Sequence, residues 1–177
     1  MKSIVRVLDW LSWLFAILSA MTIVVLVVLM LYDVLMRYAF NAPTTWGNDL
    51  NMFLMGGAFV MSIAYALATD AHVRVDLLYD ESNRSRLAYV DFIGFVVFVL
   101  PIVAWLTWGL YGYMMEAVVS GERTGSGGWN PVVWPFRVVL FAGFVVLTLQ
   151  IIAEILKRFA TIIGRPIQDT LFTDAKS

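Results

Sequence analysis

Four long apolar runs constrain the fold of this chain more than any other feature of its sequence. They cover about residues 10–35, 50–68, 87–115 and 132–156. A helix needs roughly 20 residues to cross a hydrocarbon core of about 30 Å, and in lipid it satisfies its own backbone hydrogen bonds. The runs predict an all-α integral membrane protein. Residues 1–177 are expected to form one domain of four transmembrane helices, with residues 157–177 as a short cytoplasmic tail.

Composition argues against a soluble protein and against several kinds of site. The chain is 61% hydrophobic and 14% charged, whereas soluble domains are about half apolar and roughly a quarter charged. Its 177 residues offer too little interior to bury this surplus, which must face lipid. The net charge of −1 suggests no nucleic-acid partner, and the absence of cysteine excludes thiolate sites. His72 is the single histidine, which argues against a haem or histidine-metal site within one chain.

Lysine and arginine positions predict how the chain crosses the membrane. If the N-terminus is cytoplasmic, nine of these residues fall on the cytoplasmic side and three on the other side. Positive residues favour the cytoplasmic side, so both termini are predicted to lie there. The first apolar run exceeds the core of a cleaved signal peptide, which is about 7–15 residues long. We therefore expect this run to be retained as a membrane span.

The spans carry their ionisable residues near their ends and not in their middles. These residues are Asp33, Arg37, Asp49, Asp91, Arg137 and Glu154. A transporter that handles a polar solute alone usually needs charged or polar groups at mid-membrane. The sequence therefore indicates a non-enzymatic accessory subunit that binds no metal and no cofactor.

Two features of the spans concern helix packing. Small residues in the second span would let another helix approach closely; they are Gly56, Gly57, Ala58, Ser62 and Ala66. Two interpretations stay open, a docking face for another chain and packing within the four-helix unit. Pro101 lacks a backbone N–H and is expected to kink the third span.

The first connection is dense in special residues and reads RYAFNAPTTWGNDL from Arg37 to Leu50. Asp33 and Arg37 are four residues apart and are predicted to pair on one helix face. Thr44 or Thr45 is the expected cap of the second helix. A capped turn needs neither the aromatic residues nor Trp46, so a contact with a partner is the second interpretation of this stretch.

The other two connections are also distinctive. The second carries a polar cluster of His72, Arg74 and Asp76 interrupted by apolar residues, which predicts a short interfacial helix between spans two and three. The third ends in a stiff aromatic edge that contains Trp129, Pro131 and Trp134.

Two blocks within these connections resemble those of a known family. The first block is Arg37-Tyr38, Phe40-Asn41, Pro43, Trp46 and Asp49-Leu50, and the second runs from Ala71 to Leu78 as AHVRVDLL. With the length and the four spans, the chain resembles the small membrane (permease) subunit of tripartite ATP-independent periplasmic (TRAP) transporters, the DctQ-like family. One departure is Asn48 before Asp49, where many members have two acidic residues.

The resemblance implies a function and a set of contact residues. The chain would scaffold a large membrane subunit that holds the sodium and substrate sites, in a symporter for organic acid uptake. A periplasmic solute-binding protein would deliver the solute, and the third connection would help to dock it. The residues assigned to partner contacts or to the structural motif are Arg37, Tyr38, Asn41, Pro43, Trp46, Asp49, His72, Arg74, Asp76, Trp129, Pro131 and Trp134.

Two other functions remain open on the sequence. One is a self-sufficient small transporter that acts as a homodimer, which the uncharged span interiors disfavour. The other is a haem-b-type membrane anchor of an electron-transfer complex, which the single histidine disfavours.

Overall fold

Four long helices account for most of the chain in the computed structural model, which describes residues 2–69, 89, 91–125 and 128–163. They are α1 (Lys2–Ala39), α2 (Gly47–Ala68), α3 (Asp91–Ser120) and α4 (Trp134–Ile162), and each is long and apolar enough to cross a membrane. The described residues contain no strand beyond one isolated bridge between Arg123 and Val132. The predicted all-helical fold with four membrane helices is confirmed. The interfacial helix predicted between spans two and three lies outside the described residues.

The helices extend beyond the apolar runs at both chain ends. Helix α1 begins at Lys2, well before the predicted start at Trp10. Helix α4 continues to Ile162, so residues 157–162, which the sequence analysis assigned to the tail, are helical. The reason is that Lys157 and Arg158 form ion pairs within the bundle, and charges paired in this way need not end a membrane helix.

Helix α4 is the centre of the arrangement. It contacts α1, α2 and α3, and α1 and α2 also contact each other. Within the described residues, α3 contacts no helix other than α4. We call the end that holds residues 40–46, 121–125 and 128–133 the loop end. The end where α1 begins and α4 finishes is called the terminal end. The bundle is therefore a three-helix unit of α1, α2 and α4 with α3 attached to one side.

Helices α2 and α4 approach each other closely through glycine. A Cβ added to Gly143 would lie 2.4 Å from Val60 Cγ1, so only glycine fits without rearrangement. Gly56 faces the Phe136 ring in the same interface, and Phe136 stacks on Phe53 with 5.0 Å between ring centroids. In lipid, helix association depends on such close packing because no hydrophobic effect drives it.

The small residues of α2 do not share one face. Gly56 and Gly57 pack toward α4, whereas the carbonyl oxygen of Ala58 accepts a 2.7 Å hydrogen bond from Ser19 on α1. Ser62 and Ala66 are only partly buried. The first three residues therefore take part in packing within the chain, and the predicted face is divided between two neighbouring helices.

Helix α3 contains an irregular turn close to Pro101. Phe95–Val99 forms a π-helical turn, and the N–H of Leu100 donates to the carbonyl of Phe95, five residues earlier. A proline in a helix removes one hydrogen bond and its ring presses on the carbonyl four residues before it. The wider π turn lies where that pressure falls, so the irregularity expected at Pro101 appears in the preceding turn.

Candidate functional site

Asp33 organises the turn between α1 and α2 at the loop end. Its Oδ2 accepts a 2.9 Å hydrogen bond from Arg37, so the predicted pair is confirmed. Its Oδ1 accepts a hydrogen bond from the Thr44 hydroxyl. Asp33 is mostly buried, and these donors replace the water that the carboxylate would otherwise bind. The turn is therefore held onto α1 from the inside.

The expected cap of α2 is not formed. Trp46 occupies the N-cap position and makes no side-chain capping hydrogen bond, whereas the Thr44 hydroxyl donates to Asp33 on α1. Thr44 and Asp33 lie so close to Gly47 that no side chain fits there. An added Cβ would lie 2.5 Å from Thr44 Oγ1 and 3.0 Å from Asp33 Oδ1. The threonine thus joins the turn to α1 and does not start α2.

We call the stretch from Arg37 to Leu50 the first motif. Some of its other side chains pack within the chain and some are exposed. Trp46 stacks on Tyr32 with 6.0 Å between centroids, and Asp49 is buried. Asn41 adopts a left-handed conformation with φ of 50°, which asparagine tolerates better than most residues. Tyr38, by contrast, is 81% exposed. Arg37, Phe40 and Pro43 are exposed as well. The motif therefore combines an internally bonded turn with a rim of outward-facing side chains.

The connection between α3 and α4 is fixed by a buried arginine. Arg137 donates to Glu122 Oε2 at 2.6 Å and to the carbonyl of Tyr113 at 3.0 Å. Its guanidinium also lies 3.5 Å from the centroid of the Tyr113 ring. Such charge-assisted hydrogen bonds are stronger than neutral ones. They fix the start of α4 against the last turns of α3.

The two described connections meet at the loop end. A Cβ added to Gly128 would lie 3.2 Å from Thr45, so the two backbones pass close together. Asn130 has a φ of 44°, and its side-chain oxygen accepts the N–H of Gly125. Trp129 and Trp134 are exposed beside this contact, whereas Pro131 is partly buried. The predicted aromatic edge therefore lies next to the first motif.

A second polar network lies at the terminal end, and the sequence analysis missed it. Gln150 accepts a hydrogen bond from Ser12 at 2.8 Å and donates to Asp9 at 3.0 Å. Lys157 Nζ lies 2.8 Å from both Asp9 Oδ1 and Glu154 Oε1. Asp9, Ser12 and Gln150 have no exposed surface. The network therefore joins the start of α1 to the end of α4 through fully buried groups.

Arg158 extends this network to α3. Its Nη1 binds Glu154 Oε2 at 2.7 Å, and its Nε lies 3.8 Å from Asp91. The guanidinium also lies 4.1 Å from the centroid of the Phe95 ring, which belongs to the π turn. Helices α1 and α3 do not touch each other among the described residues. They are nevertheless connected through side chains of α4.

A spacing in the sequence could have indicated this network. Gln150, Glu154 and Lys157 recur at intervals of four and three residues, which places them on one helix face. Asp9 and Ser12 share a face of α1 in the same way. Polar residues that recur on one face of an apolar helix indicate a polar seam between helices. The sequence analysis considered only Glu154 of these residues, as one that lies near the end of a span.

The middle of the bundle contains hydroxyl groups and no charge. Thr107 and Thr148 lie 3.0 Å apart between α3 and α4, beside an open groove of about 330 Å³ lined also by Trp108 and Tyr111. Within the described residues, no three His, Cys, Asp or Glu side chains are close enough to hold a metal ion. His72, Arg74 and Asp76 lie outside the described part of the chain.

Comparison with known families decides the identity. Residues 26–161 match the family model described as the DctQ component of tripartite ATP-independent periplasmic transporters. The chain belongs to this DctQ family. It is therefore a multi-pass membrane subunit of a TRAP transporter, and the small membrane subunit of that assembly. A search of curated proteins found no match, and neither did a search of solved structures. The matched residues include the first motif, the contacts of Arg137 and the network at the terminal end except Asp9 and Ser12.

Proposed function

We propose that this DctQ subunit is a non-catalytic scaffold in a sodium-driven transporter for organic acids. It lies in a bacterial cytoplasmic membrane with both termini in the cytoplasm, and it holds the large permease subunit in place. Sodium and the solute bind to that large subunit, and the DctQ subunit itself carries no cofactor. The loop end then faces the periplasm, where the solute-binding protein docks.

The observation that carries this proposal is the placement of charge in the bundle. The described ionisable side chains of the bundle interior gather at the two ends, where Asp33, Arg137 and Glu154 have partners within the chain. The middle offers the hydroxyl pair of Thr107 and Thr148. An organic anion crossing the membrane needs compensating charge at depth. A bundle built in this way supports a role beside the transporting subunit.

The exposed rim of the first motif is the proposed contact at the loop end. Tyr38 and Phe40 face outward without burial against the rest of the chain. Arg37 uses one Nη for Asp33 and keeps half of its side chain exposed. A rim of aromatic and arginine side chains is typical of protein interfaces. We assign it to the large subunit and the neighbouring edge at Trp129 and Trp134 to the solute-binding protein.

Reconstitution of purified proteins tests the overall function. Solute uptake into liposomes under a sodium gradient is measured for the DctQ subunit alone, the large subunit alone, and both together with the solute-binding protein. We expect transport that exceeds the background only when both membrane subunits are present. Uptake by the DctQ subunit alone would support the homodimeric transporter instead.

The rim contact is tested best at Tyr38. Because its side chain is exposed, Tyr38→Ala should leave the fold of the isolated subunit unchanged and lower recovery of the large subunit in co-purification. Val24→Ala is the control, since Val24 is also exposed but belongs to the aliphatic surface of α1. Arg37→Ala is less informative because it also removes the bond to Asp33. Equal recovery from the Tyr38 and Val24 variants would remove the rim from the interface.

The proposed orientation can be checked because the chain has no cysteine. Single substitutions Ser3→Cys and Asn48→Cys place one exposed thiol near the terminal end and one near the loop end. A membrane-impermeant thiol reagent added outside intact cells should label the second variant and not the first. The reverse pattern would invert the orientation.

A further inference from the structure

The side of α3 that points away from α4 has an unusual composition. It carries Trp105, Gly109, Gly112 and Glu116, with Trp108 at its edge beside the groove toward α4. We call these five residues the outward face of α3. At about 100° per residue these five positions fall within one sector of the helix. The opposite side faces α4, where Thr107 meets Thr148.

Two tryptophans of this face lie at membrane depth. Helix α3 has 30 residues, which corresponds to about 45 Å, whereas the hydrocarbon core is about 30 Å thick. Trp105 is halfway along the helix and Trp108 lies one turn further toward the loop end. Both therefore fall inside the core wherever the helix is placed across it. Tryptophan in contact with lipid alone prefers the headgroup zone.

Both indole rings are exposed on the isolated subunit. Trp105 is 75% exposed and Trp108 is 76% exposed. Neither indole N–H donates a hydrogen bond to any group in the described part of the chain. In the hydrocarbon core there is no water to accept it, and an unsatisfied polar group there is costly. Acceptors from another protein would satisfy both N–H groups.

The rest of the outward face fits a helix as the occupant. A Cβ added at Gly109 or Gly112 would meet nothing within 4 Å, so these glycines serve no packing within the chain. Glycine weakens a helix relative to alanine, but it lets a second backbone come close. Glu116 is exposed one turn before the end of α3, and no described cation pairs with it. A donor or cation on the approaching helix would complement its charge.

Resting on the scaffold function proposed above, we propose that the outward face of α3 docks a transmembrane helix of the large permease subunit. That helix passes over Gly109 and Gly112, accepts hydrogen bonds from the two indoles at mid-depth, and offers a cation or a hydrogen-bond donor to Glu116. The exposed face of α1 provides the contrast. It presents aliphatic side chains such as Val24 and Val28 at comparable depth, which lipid alone accommodates.

Site-specific photocross-linking tests the location of the partner. The photoreactive residue p-benzoylphenylalanine replaces Trp105 in one variant and Val24 in another, and each is co-expressed with the large subunit and the solute-binding protein. We expect a cross-link to the large subunit from position 105 and at least about tenfold less from position 24, because only position 105 would lie against the partner helix. A cross-link from position 24 and none from position 105, or one between two copies of this chain, would overturn the proposal.

Bulky substitutions test the glycine contact without disturbing the isolated subunit. A Cβ added at Gly112 meets nothing within 4 Å in the chain, and leucine favours a helix more than glycine does, so the helix content and stability of the purified subunit should not fall. Recovery of the large subunit should fall by about tenfold or more, since overpacking a close contact typically costs that much affinity. Val28→Phe is the control for added bulk on a lipid-facing surface. Equal recovery from both variants would contradict docking at α3.

The two experiments separate this inference from the scaffold function. If the unmodified subunit fails to co-purify with the large subunit, the scaffold function is wrong and the docking face is wrong with it. If it co-purifies and Gly112→Leu leaves recovery unchanged, the scaffold function stands and the docking face must lie elsewhere.

Discussion

Replacing Lys157 with methionine should destabilise the isolated subunit strongly. Lys157 Nζ is the shared partner of Asp9 and Glu154, at 2.8 Å from each carboxylate. Methionine keeps most of the side-chain volume and removes the charge. Removing one partner of a buried ion pair typically costs about 3–5 kcal/mol, because the remaining charge is left uncompensated.

The geometry places the expected cost near the lower end of that range. Glu154 retains Arg158, which binds its other oxygen at 2.7 Å. Asp9 retains only the side-chain amide of Gln150 at 3.0 Å. The loss therefore falls mainly on Asp9, which has no exposed surface. We expect a decrease of about 3 kcal/mol in the free energy of unfolding.

A surface pair provides the matched control. Arg37 pairs with Asp33 at 2.9 Å, but its side chain is 55% exposed, whereas that of Lys157 is 17% exposed. Exposed pairs contribute about 0–1 kcal/mol, and Asp33 also keeps the Thr44 hydroxyl. Arg37→Met should therefore cost about 1 kcal/mol or less.

The assay is reversible unfolding of the purified subunit in mixed micelles, with SDS as denaturant and helix content as the signal. The double variant Asp9→Asn with Lys157→Met removes both charges, so its cost should be smaller than the sum of the two single costs by about 1–3 kcal/mol. Additive costs would show that Lys157 and Asp9 do not interact. A cost for Lys157→Met no larger than that for Arg37→Met would refute the claim that this network is buried and paired.

Two further predictions concern packing and the loop end. Gly143→Ala should lower the free energy of unfolding by about 1–3 kcal/mol through overpacking, because the added Cβ would lie 2.4 Å from Val60; Gly57→Ala, where the nearest atom is at 3.4 Å, should be tolerated in the same SDS titration. Arg137→Met should cost about 1.5–3 kcal/mol, since it removes a part-buried charge-assisted hydrogen bond to Glu122. A cost below that of Arg37→Met would show that Arg137 does not fix the start of α4.

The helices were predictable because each apolar run carries its own evidence. Crossing lipid requires a helix whatever its neighbours are, so no knowledge of packing was needed to place four of them. Their ends were less predictable, since Lys157 looks like the start of a polar tail. Its helical state depends on Asp9, which is 148 residues away in sequence. The local spacing shows that Lys157 shares a polar helix face with Glu154 and Gln150, but it does not show which distant residue that face meets.

In the candidate sites, too, local interactions were predictable from the sequence and contacts with another helix were not. The pair of Asp33 and Arg37 followed from their spacing on one helix and is confirmed. Thr44 was expected to cap α2 or to leave that role to Thr45, but it donates to Asp33 on α1. Local sequence shows that a threonine near a helix start can accept a hydrogen bond from a backbone N–H of that helix. It does not show that a carboxylate from the preceding helix lies closer than the backbone of the next.

The contacts between α3 and α4 explain how a helix with one neighbour stays attached. In lipid the hydrophobic effect does not hold helices together, so α3 depends on packing and on polar bonds. These occur at three levels: Arg137 with the Tyr113 carbonyl at the loop end, Thr107 with Thr148 in the middle, and Arg158 with Asp91 at the terminal end. All of them lie on the side of α3 that faces α4. The other side of α3 is therefore not needed for the fold of the subunit, and a partner helix can occupy it without replacing any contact that the chain makes with itself.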